Sequence, residues 1–149
     1  MGLRRRAREH SLQFLYQVDL LKSSYNKSDI LQQIELYWNN KDKTPDKELV
    51  EFSNRINIGV FENLDTLDDT ISTNCKNWKF SRLSSIDRNI LRIAVYELLF
   101  MKDVPSKVVI NEAIEIAKKF GTEDSGSFIN GILDHVNKAV SKGVKNDNK

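Results

Sequence analysis

The sequence predicts an all-α domain of about seven helices arranged in two packed sub-bundles. Three observations lead there. Apolar residues recur at three- and four-residue spacing along most of the 149 positions, the period of a helix with one buried face. No segment alternates apolar and polar residues as a half-buried strand would. The clearest turn signals, Pro45, Pro105 and Gly121, fall where one periodic segment stops and the next begins.

The first helix is expected from about Arg4 to Ser23, ending in the polar stretch KSSYNKS. A second, DILQQIELYWNN, stops before KDKTPD, where Pro45 marks a turn. The third starts near Asp46 and carries Leu49, Phe52, Ile56 and Val60 at helical spacing. A fourth covers LDTLDDTISTNC and leads into the connector KNWKFSRLS. The fifth runs from Ser85 to about Lys102 behind a Ser/Asp start signal. Ile86, Ile90, Leu91, Ile93, Ala94, Val95, Leu98 and Leu99 make it apolar on most sides, as a central, surrounded helix is. Val104-Pro105 ends it, because the residue before a proline avoids the helical region. The sixth, VVINEAIEIAKKFG, closes on Gly121, a residue type common just past helix ends, with Lys118 and Lys119 at its negative end. The seventh follows TEDS, where Asp124 or Ser125 can cap it, and continues through GSFINGILDHVNKAV. The result is one domain over 1–142, with sub-bundles of about 1–80 and 81–142, and a flexible basic tail over 143–149.

Charge is distributed unevenly. The formal net charge is +2, but the first ten residues carry +3 and residues 138–149 another +3, leaving −4 between them. Basic ends suit a polyanion and an acidic middle suits a basic partner. Arg4, Arg5, Arg6 and Arg8 crowd the start of the first helix, where the helix dipole already places partial positive charge. Cations there are disfavoured by roughly 0.3–1 kcal/mol each, so a bound anion is the natural compensation.

Other classes are disfavoured. SLQFLYQVDLL is interrupted by Gln13, Gln17 and Asp19, unlike the unbroken apolar core of a secretory signal. No stretch approaches the ~20 apolar residues that a membrane span needs. The one cysteine, Cys75, leaves no internal disulfide and suits a reducing compartment, so a cytoplasmic location is expected. His10 and His135 stand apart, Cys75 lacks a CxxC partner, and six glycines form no phosphate-cradling loop. Asp68, Asp69, Glu112 and Glu115 read as solvated helix faces. No catalytic residue, metal site or cofactor is expected.

Two surfaces have two readings each. On the first helix Ala7, Ser11, Phe14, Leu15, Val18 and Leu21 form the core stripe, while Leu12, Tyr16 and Leu20 form a second stripe on roughly the opposite side. That stripe marks either a helix sandwiched within its own bundle or an exposed ridge that docks a protein, with Tyr16 as an amphipathic anchor. In the last helix Ile129, Ile132, Leu133, Val136 and Val140 form the buried stripe and Phe128 sits at its edge. Phe128 is either partly buried core or a platform for an unpaired base.

RRRARE near the start, SIDRNILRIAVYEL in the middle and VPSKVVINEAIEIAKKFGTEDSGSFINGIL after it resemble the NusB family of bacterial transcription antitermination factors. The resemblance spans essentially the whole chain. It implies an all-helical fold of two packed bundles and a protein without catalytic activity. Its partners would be single-stranded boxA-type RNA, the small-subunit ribosomal protein NusE, and the RNA polymerase antitermination complex that reads through ribosomal RNA operons. By position, Arg4, Arg5, Arg6 and Arg8 match the family's arginine-rich RNA-binding motif, and Asp124 and Phe128 match the loop and helix beside the RNA. Tyr16 and Asp87 match positions that face the ribosomal protein. The ridge of Leu12, Tyr16 and Leu20 could also self-associate, so the free protein has a possible homodimer.

Three other readings compete. The helical RNA-binding domain of some ribosomal RNA methyltransferases is similar, but the chain lacks length for a catalytic domain and has no glycine-rich cofactor loop. A small all-helical enzyme would clamp carboxylates with arginines drawn from facing helices, whereas these cluster at one terminus. A protein-only adaptor would bind no RNA.

Overall fold

The computed structural model describes residues 2–21, 26–41, 43, 45–75 and 80–147, with Leu21 and residues 142–147 described by backbone alone. The described residues form seven α-helices, one short 3-10 turn and no strand. The helices are α1 (Leu3–Leu21), α2 (Lys27–Asn39), α3 (Lys47–Glu62), α4 (Leu64–Thr73), α5 (Ser85–Phe100), α6 (Ser106–Phe120) and α7 (Ser125–Asp147), with the 3-10 turn at Phe80–Arg82. The expected end of the first helix at Ser23 and residues 76–79 of the connector lie outside the described residues.

The chain divides into two compact units, Met1–Leu64 and Asp65–Lys149. In the first, α3 packs against both α1 and α2. Small residues let α1 and α3 approach closely: the Ser11 and Ser53 hydroxyls are buried and 2.8 Å apart, and Ser11 Oγ also donates to the Ser53 carbonyl. Phe14, Leu49, Ile56 and Val60 fill the centre of this unit. Asn26 caps α2 through a reciprocal pair of bonds with Asp29, satisfying amides that a helix start leaves open.

In the second unit α5 packs against α6 and α7, which also pack on each other. Ile90, Leu91, Ile93, Ala94, Val95 and Leu98 are all buried, so α5 is enclosed on most of its circumference as the sequence predicts. Ser84 Oγ accepts the Asp87 amide and starts the helix. The unit boundary lies at 64/65, whereas the sequence suggests a division near residue 80. The physical reason is α4: Leu67 and Ile71 are buried, and Asp68 forms a two-pronged bond with Arg92 of α5. That pairing also corrects the reading of Asp68 as a solvated carboxylate.

Two helix ends differ from their sequence rationale. Gly121 has a φ of −91°, so no left-handed conformation demands glycine there. Space does: a Cβ at this position would stand 2.5 Å from Ser125 Oγ and 2.8 Å from the Ala117 carbonyl oxygen. The backbone of α7 continues to Asp147, past the point near 143 where a flexible tail is expected. A single glycine, Gly143, costs a helix only about 1 kcal/mol.

Candidate functional site

The first candidate surface is the start of α1. Its first turn holds no acidic residue to complement the dipole. Arg4 and Arg6 are exposed and Arg5 is half-buried. The Arg4 guanidinium lies 4.9 Å from the Phe52 ring centroid, and that of Arg8 lies 5.2 Å from the same ring. Stacked on an aromatic face, a guanidinium keeps its N–H edges for a phosphate while losing conformational freedom in advance. Phe52 thus holds Arg4 and Arg8 on one ring, a contact its helical spacing within an apolar stripe could not reveal.

Arg8 departs from expectation. It is only 2% exposed, so its guanidinium is not open to a ligand in solution, whereas Arg4 and Arg6 are exposed. Its place is against Phe52, one turn behind Arg4. The reason is visible along the row at four-residue spacing on α1: Arg8 and Leu12 (3% exposed) are buried, Tyr16 is half-buried, and Leu20 is 59% exposed. The ridge expected from Leu12, Tyr16 and Leu20 therefore narrows to Tyr16 and Leu20.

The second candidate surface belongs to the other unit. A cleft of about 350 Å³ is lined by Arg82, Leu83, Ser84, Asp87, Thr122, Asp124, Ser125 and Phe128. Three residues singled out from sequence, Asp87, Asp124 and Phe128, are here brought to one place. Phe128 is half-buried, between its two sequence readings, with one side available to the cleft. The loop before it is held by Ser125, whose Oγ accepts the Thr122 amide at 2.9 Å instead of capping its own helix. Oδ1 of Asp87 is shielded from solvent and accepts no hydrogen bond. Arg82, in the 3-10 turn, adds an exposed cation at the rim that sequence reasoning passed over as part of a connector.

This cleft offers an aromatic face, hydrogen-bond acceptors and one cation. Its two carboxylates oppose a bare phosphate and favour a group with donors, as a nucleobase edge has. Among the described residues no three His, Cys, Asp or Glu side chains converge as metal ligands, and no helix is long and apolar enough to cross a membrane. Cys75 is buried, and burial pushes its thiol pKa up, away from reactivity.

Residues 5–138 match the model of the NusB family. The transcription antitermination protein NusB of Desulfatibacillum aliphaticivorans is 44% identical over 149 residues, covering 100% of this chain and 99% of that protein. The solved structure of T. maritima NusB has a TM-score of 0.78 and 44% identity, covering 91% of this chain and 90% of that one. A crystal structure of the antitermination factors NusB and NusE in complex with double-stranded RNA has a TM-score of 0.73 and 27% identity, covering 93% of this chain and 98% of that one.

Proposed function

This chain belongs to the NusB family of transcription antitermination proteins, and from that premise we propose how its two surfaces divide the work. The protein is an RNA-binding antitermination factor that acts with the ribosomal protein NusE. It joins the RNA polymerase antitermination complex on boxA-type RNA of ribosomal RNA operons. Its role is to bind, not to catalyse, and its place of work is the cytoplasm.

Arg4, Arg5 and Arg6 hold the RNA backbone, and the acid-free first turn of α1 is the observation that carries this assignment. Each phosphate contact releases condensed counterions, which favours binding and makes it salt-dependent. Phe128 supplies a stacking face for a base, with Asp124 beside it to accept from the base edge. Asp87 lines the same cleft, so its contact, whether from NusE or RNA, is made beside Phe128. Tyr16 and Leu20 form the docking surface for NusE, whose basic character suits the negative body of the chain. Arg8 supports the arginine cluster from within through Phe52.

An RNA titration at several salt concentrations, with NusE present, tests the assignment. The plot of log affinity against log salt falls by about 0.7 per phosphate contact on a single strand. Replacing Arg5 and Arg6 together by alanine is expected to weaken binding and flatten that plot by roughly one unit. Phe128→Ala is expected to lose about 1–3 kcal/mol of RNA binding with its slope unchanged, because stacking releases few ions. An arginine variant that keeps the full slope would remove the cluster from the interface.

A further inference from the structure

We infer that the phosphate-binding face of α1 continues beyond the arginines to a His10–Lys41 pair, and that His10 takes up a proton at Nε2 when an RNA phosphate reaches it. This rests on the RNA-binding reading above and extends it to residues that neither motif nor resemblance singled out.

The geometry begins with spacing. His10 lies four residues after Arg6, one turn further along the same side of α1. Lys41 follows the C-terminal end of α2, with its Nζ 4.2 Å from the Tyr37 ring centroid and 3.4 Å from Gln13 Oε1. His10 rests against Tyr37 and Trp38 of α2, its ring centroid 5.0 Å from that of Trp38. His10, Trp38 and Lys41 are half-buried and Tyr37 is buried, so the two basic side chains and the Trp38 ring are the parts of this group that a single strand can reach.

A chain of hydrogen bonds sets the proton's position. The Lys41 ammonium can only donate, so the Gln13 atom it meets is an acceptor oxygen. The Tyr37 hydroxyl donates its one proton to that same oxygen at 2.9 Å. The phenolic oxygen must then accept from His10 Nδ1, 2.8 Å away. His10 Nδ1 therefore carries a hydrogen, and in the neutral ring Nε2 holds the lone pair. A proton gained from solvent at Nε2 gives a second N–H donor without disturbing the chain.

The electrostatics explain why a phosphate would bring that proton. The charged and titratable groups acting on His10 are Arg6 and Glu9 on α1, Tyr37 on α2, and Lys41 beyond it. Burial, then Lys41 and Arg6, hold its pKa below the ordinary value of 6.5, and Glu9 alone opposes them. Free of RNA, the imidazole is therefore held toward its neutral form, first by burial and then by its cationic neighbours. A phosphate bridging Arg6 and Lys41 would reverse the sign of the local field and favour the imidazolium. Binding then takes up a proton.

The test uses the full chain with a boxA-type single-stranded RNA oligonucleotide, titrated at constant salt between about pH 8 and pH 6. The wild-type protein is expected to bind about threefold or more tightly at the acid end, within the tenfold per pH unit that one proton allows. His10→Asn, which keeps an amide donor near the Nδ1 position for Tyr37, is expected to flatten this dependence. Lys41→Ala is expected to reduce the salt slope by about 0.7. Proton NMR provides a second measurement, because the chain has only two histidines, His10 and the exposed His135. The His10 titration midpoint is expected to rise on adding RNA. An unchanged midpoint, or a His10→Asn protein with wild-type pH dependence, overturns the inference. So does a Lys41→Ala protein that keeps its slope, or that loses only NusE binding. Failure of the underlying RNA reading is separable, because then the Arg5/Arg6 double alanine variant would bind RNA like the wild type.

Discussion

Arg92 shows what a single residue's neighbours can decide. It is mostly buried on α5, its Nε 2.7 Å from Asp68 Oδ1 and a terminal nitrogen 2.8 Å from Asp68 Oδ2, with another donating to Asn89. Such a fork satisfies both carboxylate oxygens and orders the planar guanidinium. The spacing of LDTLDDTISTNC puts Asp68 on the face of Leu64, Leu67 and Ile71 and puts the exposed Asp69 off it, but it names no partner for a carboxylate there. The partner lies 24 residues away, and local periodicity is blind to it. Removing the carboxylate takes from this mostly buried cation the two charge-assisted bonds that Asp68 provides. Asp68→Ala is therefore expected to destabilise the fold by about 2–3 kcal/mol, below the 3–5 kcal/mol of a fully buried pair because Asp68 keeps some solvent. Asp69→Ala is expected to change stability by less than about 0.5 kcal/mol. Chemical denaturation of both variants checks the contrast, and equal effects would show that the fork contributes nothing.

At the scale of an element, the sequence of α1 disclosed its period better than the breadth of its burial. Ala7, Ser11, Phe14 and Leu15 are buried as the helical wheel requires. The wheel also places Leu12 with Tyr16 and Leu20, correctly in angle, but it cannot say how burial changes along the axis. The observed gradient separates them: Leu12 belongs to the packed protein, while Tyr16 and Leu20 remain accessible. Leu12→Ala is expected to lower stability by about 2–5 kcal/mol, the range for truncating a core leucine. Tyr16→Asp is expected to leave the thermal midpoint nearly unchanged and to weaken NusE binding by about 2 kcal/mol or more, as loss of an interface anchor does. Calorimetry of binding beside thermal melts separates the two. A large fall in the melting temperature of the Tyr16 variant would return that residue to the core.

Across the whole molecule, the helices were legible because each carries its own period and punctuation, whereas the unit boundary depends on long-range pairing through α4. Charge was legible in blocks, and the arginine cluster followed from it. The His10–Lys41 arrangement did not, because it needs α2 folded back on α1. That arrangement gives the protein opposite responses to acid in its free and bound states. In the free protein His10 is held below its ordinary value of 6.5, first by burial and then by Lys41 and Arg6. Between 6.5 and that lowered value the unfolded chain binds more protons than the folded one, so the contribution of His10 to stability declines as pH falls through this window. With RNA bound the preference reverses, and acid strengthens the complex. RNA stabilises the folded state according to its concentration relative to Kd, so the rise in melting temperature at fixed RNA is expected to be larger near pH 6 than near pH 8. In His10→Asn the two rises are expected to be equal, while the free variant melts with less dependence on pH than the wild type. Thermal melts of both proteins, with and without RNA at the two pH values, measure all of these together. A wild-type rise that is smaller at the acid end would mean that RNA does not favour the imidazolium, and that the phosphate path ends at the arginines.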